Sequence, residues 1–110
     1  MNGQIAVLFA DLDNFKALNT KYSEPRIDQS LLPDAMHLVE GLIRMRGGAY
    51  KYGGDEYVLI LPNHDAIEGA GFAEKVRKAF EQFEFRVDTD LVHITVSLGI
   101  AVWPVHSTTY

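Results

Sequence analysis

Apolar positions divide this chain into strand-like and helix-like stretches. Residues 4–11 form a near-continuous apolar run ending at Asp11, the pattern of a buried central strand. Asn14 to Tyr22 is short and helix-compatible. Ser23-Glu24-Pro25-Arg26 interrupts it, and a second helix is predicted from Asp28 to about Arg46. Leu31, Leu32, Ala35, Leu38, Val39, Leu42 and Ile43 recur there at helical spacing, and Gly47-Gly48 is expected to stop it. Strands are predicted at about 49–52 and 56–61, both rich in β-branched or aromatic residues, with a Gly-Gly pair between them that signals a two-residue hairpin. Pro62-Asn63-His64-Asp65 reads as an exit loop and N-cap. The helix that follows, Ala66 to Phe83, carries Ala70, Ala73, Val76, Phe80 and Phe83 on one face. Segments 84–88 and 92–102 read as strands, and Trp103 before Pro104 is expected to cap the core.

The resulting order, β-α-β-β-α-β, predicts an α+β fold of the ferredoxin-like, split-βαβ type, a palm with two helices packed on one face of an antiparallel sheet. In that arrangement the first strand and the hairpin are central neighbours. Asp11 and Asp13, at the end of the first strand, would then meet Asp55 and Glu56 at the hairpin, so that four carboxylates share one edge of the sheet.

The hairpin sequence Tyr52-Gly53-Gly54-Asp55-Glu56-Tyr57 supports a site there. A hairpin needing only a turn would follow its glycines with something neutral. Here two adjacent carboxylates stand at the start of a strand, where propensity disfavours both and their charges repel. Carboxylates held that close call for a cation among them. An all-oxygen donor set favours Mg²⁺ or Mn²⁺, which points to phosphoryl chemistry. Gly53 and Gly54 would let the backbone approach a phosphate. Lys16, one turn past Asp13, could meet one as a point charge. Taken singly, Asp-x-Asp and Gly-Gly-Asp are common turn patterns and Lys16 is an ordinary solvated helix residue. The two acidic motifs after two apolar strands are what favour a metal site.

Composition narrows the class. One hundred and ten residues, 47% hydrophobic and 23% charged, suit a single soluble domain. The absence of cysteine excludes disulfides and thiolate metal sites. The apolar N-terminal run has no basic flank and is too short for a signal peptide or a membrane span, so a cytoplasmic setting without membrane contact is expected. A net charge of −5 argues against binding long nucleic acid, and leaves room for a small anionic substrate arriving with a divalent cation. His37, His64, His93 and His106 show no ligand spacing.

The residues Asp11-Leu12-Asp13-Asn14-Phe15-Lys16-Ala17-Leu18-Asn19, Tyr22, Asp28, the hairpin with Val58-Leu59-Ile60-Leu61-Pro62, and Ile94-Thr95-Val96-Ser97-Leu98-Gly99-Ile100-Ala101 resemble the GGDEF family of diguanylate cyclase domains over nearly the whole chain. The resemblance implies condensation of two GTP molecules into cyclic di-GMP with release of pyrophosphate, by two such domains meeting face to face as a homodimer. It implies metal binding by Asp11, the Leu12 backbone, Asp55 and Glu56, with Asp55 or Glu56 also assisting deprotonation of the ribose 3′-hydroxyl. Gly53 and Gly54 would lie against the nucleotide, Phe15 and Lys16 would border its phosphates, and Asn19 with Asp28 would read guanine. Asp28 alone could equally be a helix N-cap.

Several positions depart from the family pattern. Tyr57 stands where the family usually has Phe, Thr20 replaces an Asp, and Ser23 and Ile27 replace two glycines around the base loop. Arg44-Met45-Arg46-Gly47 lacks the aspartate of the family's inhibitory product site, so that feedback site is expected to be absent. The family's leading helix and final phosphate-binding helix have no counterpart, and slow turnover is expected unless Arg26, His106 or a second subunit supplies charge. Two alternatives follow. One is a minimal cyclic-nucleotide synthase resembling CRISPR polymerase palms, using ATP or mixed NTPs. The other is a nucleotide-binding sensor or dimerisation module without turnover.

Overall fold

The computed structural model describes residues 3–104, ordered as β1 (Gln4–Leu12), α1 (Phe15–Tyr22), α2 (Glu24–Gln29), α3 (Leu31–Ile43), β2 (Gly48–Lys51), β3 (Glu56–Pro62), α4 (Ala66–Gln82), β4 (Phe85–Val87), β5 (Asp90–Val92) and β6 (Val96–Pro104). The main sheet has the order β2-β3-β1-β6 with every neighbouring pair antiparallel. This is the α+β palm, with β1 and β3 central. Alternation along these strands selects the core face. Ala6, Leu8, Ala10 and Leu12 of β1 and Tyr57, Leu59 and Leu61 of β3 are buried in one cluster with Ile27, Leu31, Val39, Phe72, Val76 and Phe80 from the helices. Full burial of each such large side chain contributes about 1.5–3 kcal/mol.

The predicted helix over 28–46 is two helices broken at Ser30. The Ser30 hydroxyl donates to the Arg26 carbonyl at 2.6 Å, and the Ser30 N–H donates to the same oxygen at 3.1 Å. Such local bonding competes with helix continuation. The break also places Pro33 in the first turn of α3, where its missing N–H costs nothing; in an unbroken helix it would clash with the preceding turn. Pro25 likewise sits in the first turn of α2, so the predicted interruption is a helix start. Asp28 lies inside α2 and caps nothing. At its other end α3 stops at Ile43, with Met45 rather than a glycine in the left-handed region at φ 69°. Gly47 serves packing instead, because a Cβ there would fall 1.8 Å from the Ile60 carbonyl oxygen.

Asp65 caps α4 as expected, accepting from the Glu68 N–H while the Glu68 side chain accepts from the Asp65 N–H. The buried stripe of α4 is Gly69, Phe72, Val76 and Phe80, with Ala70 exposed, one position off the predicted face. Gly69 lets the helix lie on β1 and β6, where a Cβ would meet Ala6 Cβ at 2.9 Å and Ile100 Cδ1 at 2.5 Å.

The predicted strand over 84–88 does not join the main sheet. β4 pairs with β5 as a separate hairpin, and β6 begins only at Val96. Tyr22 donates to Asp90 at 2.7 Å and Arg26 pairs with Asp88 at 2.9 Å, tying this hairpin to α1 and α2. Trp103 does not cap the core. It lies opposite Ile5 on the other face of the sheet and is half exposed, as is Phe9. His106 lies outside the described residues.

Candidate functional site

The β1–β3 ladder runs to Asp11 opposite Glu56, like charges directly facing across two central strands. The loop between β2 and β3 spans residues 52–55 and is closed by the Tyr52 and Gly53 N–H groups donating to the Glu56 carbonyl at 2.8 and 3.3 Å. It is therefore longer than a two-residue turn. Neither Gly53 nor Gly54 needs the left-handed conformation that such a turn would demand. What the glycines provide is space. A Cβ on Gly53 would meet Glu56 Oε1 at 2.7 Å, whereas one on Gly54 would touch only the Phe15 ring, at 3.7 Å.

One backbone bond sets the geometry of the acidic group. The Leu12 N–H donates to the Asp55 carbonyl at 3.0 Å, fastening the hairpin loop to the end of β1. Asp11 and Asp55 are thereby brought into side-chain hydrogen-bond contact. Desolvation, the bond to Asp55, and the negative charges of Asp55, Glu56 and Asp13 all push the Asp11 carboxyl above its ordinary value of 3.8. Leu12 has a buried side chain, so any ligand role belongs to its backbone.

Asp13 stands near enough for its charge to act on Asp11, but its own oxygens are bound elsewhere. Thr95 Oγ1 and Ser97 Oγ donate to its two carboxylate oxygens at 2.6 and 2.7 Å, and its own N–H donates to the Thr95 carbonyl at 3.0 Å. Its carboxylate is committed to β6. The sequence signal for this was Thr95-x-Ser97, two hydroxyls on one face of a strand, which pattern reading took only for β propensity. The edge thus gathers the four carboxylates, with the oxygens of Asp13 taken up by hydroxyls of the neighbouring chain segment.

Among the described residues no three His, Asp or Glu side chains already converge as a metal cage. The donor set nonetheless fits Mg²⁺ or Mn²⁺. Two neighbouring carboxyls, one with its proton affinity raised by desolvation, the bond to Asp55 and like charge, are relieved by a cation that takes its remaining ligands from phosphate and water. A cavity of about 260 Å³ adjoins them, lined by Phe9, Asp11, Tyr52, Glu56 and Tyr57; the aromatic wall from Phe9 and Tyr52 was not anticipated.

The remaining predicted residues stand on α1 and α2. Phe15 packs on the core and against the loop at Gly54. Lys16 is exposed in the first turn of α1. Asn19 turns its Oδ1 inward, where it is buried without a hydrogen-bond partner among the described residues. Asp28 is exposed on α2. Arg26, a candidate to supply charge, is engaged by Asp88 instead. Arg46 lies over the Phe72 ring at 5.3 Å.

Comparison with known proteins agrees with this architecture. The family model for the GGDEF domain of diguanylate cyclases matches residues 1–110. The chain is 34% identical over 101 residues to the bifunctional diguanylate cyclase/cyclic di-GMP phosphodiesterase MucR of Pseudomonas aeruginosa, covering 92% of this chain and 14% of that protein. It is 35% identical over 100 residues to the diguanylate cyclase VdcA of Vibrio cholerae, covering 88% of this chain and 29% of that one. The crystal structure of the GGDEF domain of DgcB from Caulobacter crescentus in complex with c-di-GMP superposes with a TM-score of 0.80 at 25% identity, covering 91% of this chain and 60% of the other. The chain thus spans well under a third of the length of those two curated relatives.

Proposed function

The chain belongs to the GGDEF family of diguanylate cyclase domains, and from that premise we propose that residues 1–110 form one catalytic unit that condenses two GTP molecules into cyclic di-GMP. The observation that carries this reading is the contact between Asp11 and Asp55, held by the Leu12–Asp55 backbone bond at the end of the two central strands. Asp11, the Leu12 carbonyl, Asp55 and Glu56 would hold Mg²⁺ or Mn²⁺. Such an ion, when bound, supplies neutralisation of charge on the phosphates.

The chain's own residues then have distinct tasks. Asn19 and Asp28 orient the guanine: the carboxylate accepts from N1–H and the exocyclic amine, and the amide offers a donor to a base acceptor. Gly53 and Gly54 admit the phosphates close to the backbone, and Lys16 faces them from α1. Asp55 or Glu56 takes the proton of the ribose 3′-hydroxyl. The 3′-oxygen bonds to the α-phosphorus of the second GTP, the α–β phosphoanhydride bond breaks, and pyrophosphate leaves. A second, equivalent attack closes the ring. Each copy holds one GTP, so the reaction needs a homodimer. The named activities of MucR and VdcA, and the c-di-GMP held by DgcB, support this choice of product. No helix among the described residues is long and apolar enough to cross a membrane, and we place the reaction in the cytoplasm.

Mass spectrometry after incubation with Mg²⁺ and each NTP separately tests the proposal. GTP alone should yield cyclic di-GMP, and Asp55→Asn should abolish it. Product from ATP would instead favour a synthase of other cyclic nucleotides. Binding of a non-hydrolysable GTP analogue with no product at high protein concentration would reduce the role to sensing.

A further inference from the structure

Ser23 is the single residue between α1 and α2. Its N–H closes α1 on the Asn19 carbonyl at 3.0 Å, and its carbonyl opens α2 by accepting from the Ile27 N–H at 3.3 Å. Its backbone stands at φ 79° and ψ 148°, a region that glycine occupies freely and an L-residue enters only under strain. The Ser23 side chain makes no capping hydrogen bond to α2 in return. A conformation of this kind persists only where the surrounding structure imposes it.

The β4–β5 hairpin supplies that restraint. The Tyr22 hydroxyl, immediately before the joint, donates to Asp90 at 2.7 Å, and Arg26, three residues after it, pairs with Asp88 at 2.9 Å. The hairpin can hold both because it is itself anchored, with Phe85 and Val87 fully buried in the same core as Ile27 of α2. The two contacts are unequal. The Arg26 and Asp88 side chains are 62% and 48% exposed, and an ion pair so open to water contributes little. Tyr22 is buried, and its bond to a charged acceptor is partly shielded from water, so this contact does most to fix the corner.

Resting on the nucleotide reading above, we propose that Tyr22 is a positioning residue: held by Asp90, it keeps the Ser23 joint in its strained form and so sets how α1 and α2 are placed for the nucleotide. The two helices carry Asn19 one turn before Tyr22 and Asp28 two residues after Arg26, so any change at the joint moves one against the other. Loss of the clamp lets the joint relax, and apparent affinity falls with the fraction of molecules that keep the competent arrangement. A glycine at position 23 would hold the same backbone without strain, which makes the clamp dispensable.

The experiment takes the full chain, Tyr22→Phe, Ser23→Gly and the double variant, and measures calorimetric binding of a non-hydrolysable GTP analogue with Mg²⁺ beside thermal unfolding without ligand. Tyr22→Phe keeps the buried ring and removes only the hydroxyl. It should bind the analogue about fivefold more weakly, the equivalent of one ordinary hydrogen bond. Ser23→Gly should raise Tm and leave binding unchanged, and the double variant should recover to within about twofold of the unsubstituted chain. Asp90→Ala, which breaks the same bond from the exposed side, should repeat the Tyr22→Phe loss. A tyrosine that only stabilised the fold would lower Tm and leave the affinity of the folded protein alone, and a glycine at the joint would restore nothing. Unchanged affinity in Tyr22→Phe, an equal loss in the double variant, or a lower Tm for Ser23→Gly would each overturn the proposal and leave the nucleotide reading intact. Failure of the unsubstituted chain to bind the analogue would overturn both.

Discussion

The N–H of Leu12 donates to the carbonyl of Asp55 at 3.0 Å, and through that one bond a loop forty-three positions away in sequence becomes part of the end of β1. The bond explains why the carboxyls of Asp11 and Asp55 are held together although like charge disfavours it. Strand pairing and the loop tether are stronger together than the repulsion they impose. A locally unfavourable contact maintained by surrounding structure is the pattern expected of a site adapted to a ligand.

Removing one charge from the pair should separate stability from function. Without divalent cation, Asp55→Asn is expected to raise Tm, because Asp11 then faces an amide rather than a carboxylate. With Mg²⁺ the order reverses. A cation bound only by the folded state stabilises it by about 2.7 kcal/mol at a hundredfold excess over Kd. The unsubstituted chain should gain that increment while Asp55→Asn and Asp11→Asn should not. Thermal melts across a Mg²⁺ titration measure it, and equal responses from all three proteins would rule out the proposed metal site.

The same contact predicts a pH dependence. The folded-state pKa of Asp11 is raised above 3.8, so the folded state holds that proton more tightly than the unfolded state does. Its contribution to stability is therefore favourable at low pH. It is lost as pH rises from the unfolded value through the folded one. In metal-free buffer, Tm of Asp11→Asn should fall less, or rise more, than that of the unsubstituted chain as pH rises above the ordinary aspartate value of 3.8. A parallel pair of curves would show that Asp11 feels no net repulsion.

Asp13 gives a structural counterpart. Thr95 and Ser97 each donate to it, and losing one hydrogen bond to a charged acceptor costs about 1.5–3 kcal/mol at most, less at this exposed position. Thr95→Val and Ser97→Ala should each lower stability by about 1 kcal/mol and be non-additive together, since both act through one carboxylate. Denaturant melts of the double-mutant cycle would test this. Strict additivity would mean that the two hydroxyls act independently of Asp13.

Much of this was legible in the sequence because the relevant signals are periodic or local. The apolar run into Asp11, the β-forming run over β3 and the N-cap at Asp65 each specify their element. Less legible were features set by competition or by distant partners. The break at Ser30 depends on a side chain out-competing the helix, although Pro33 was a readable warning. The fate of Asp13 depends on hydroxyls more than eighty residues away. Trp103 before Pro104 was expected to cap the core, yet the register opposite Ile5 places it on the other face. The hairpin glycines were identified for the right location and the wrong immediate reason, since space and not backbone handedness is what they contribute.

That distinction yields a contrast between neighbouring positions. At Gly54 an added Cβ meets nothing closer than 3.7 Å, which is ordinary contact, and the backbone conformation accepts an L-residue. Gly54→Ala should therefore fold like the parent, with stability changed by no more than about 0.5–1 kcal/mol, the usual glycine-to-alanine range at a compatible site. If phosphates approach this backbone, the same methyl group blocks them, and binding of a GTP analogue should fall steeply. At Gly53 the Cβ instead displaces the Glu56 carboxylate, a flexible group able to swing away. Gly53→Ala should also fold, but turnover should fall more than analogue affinity if Glu56 serves the proposed chemistry at the 3′-hydroxyl rather than holding the base. Calorimetry for binding and single-turnover kinetics for chemistry distinguish the two. Unchanged analogue binding by a well-folded Gly54→Ala protein would remove the nucleotide from this loop.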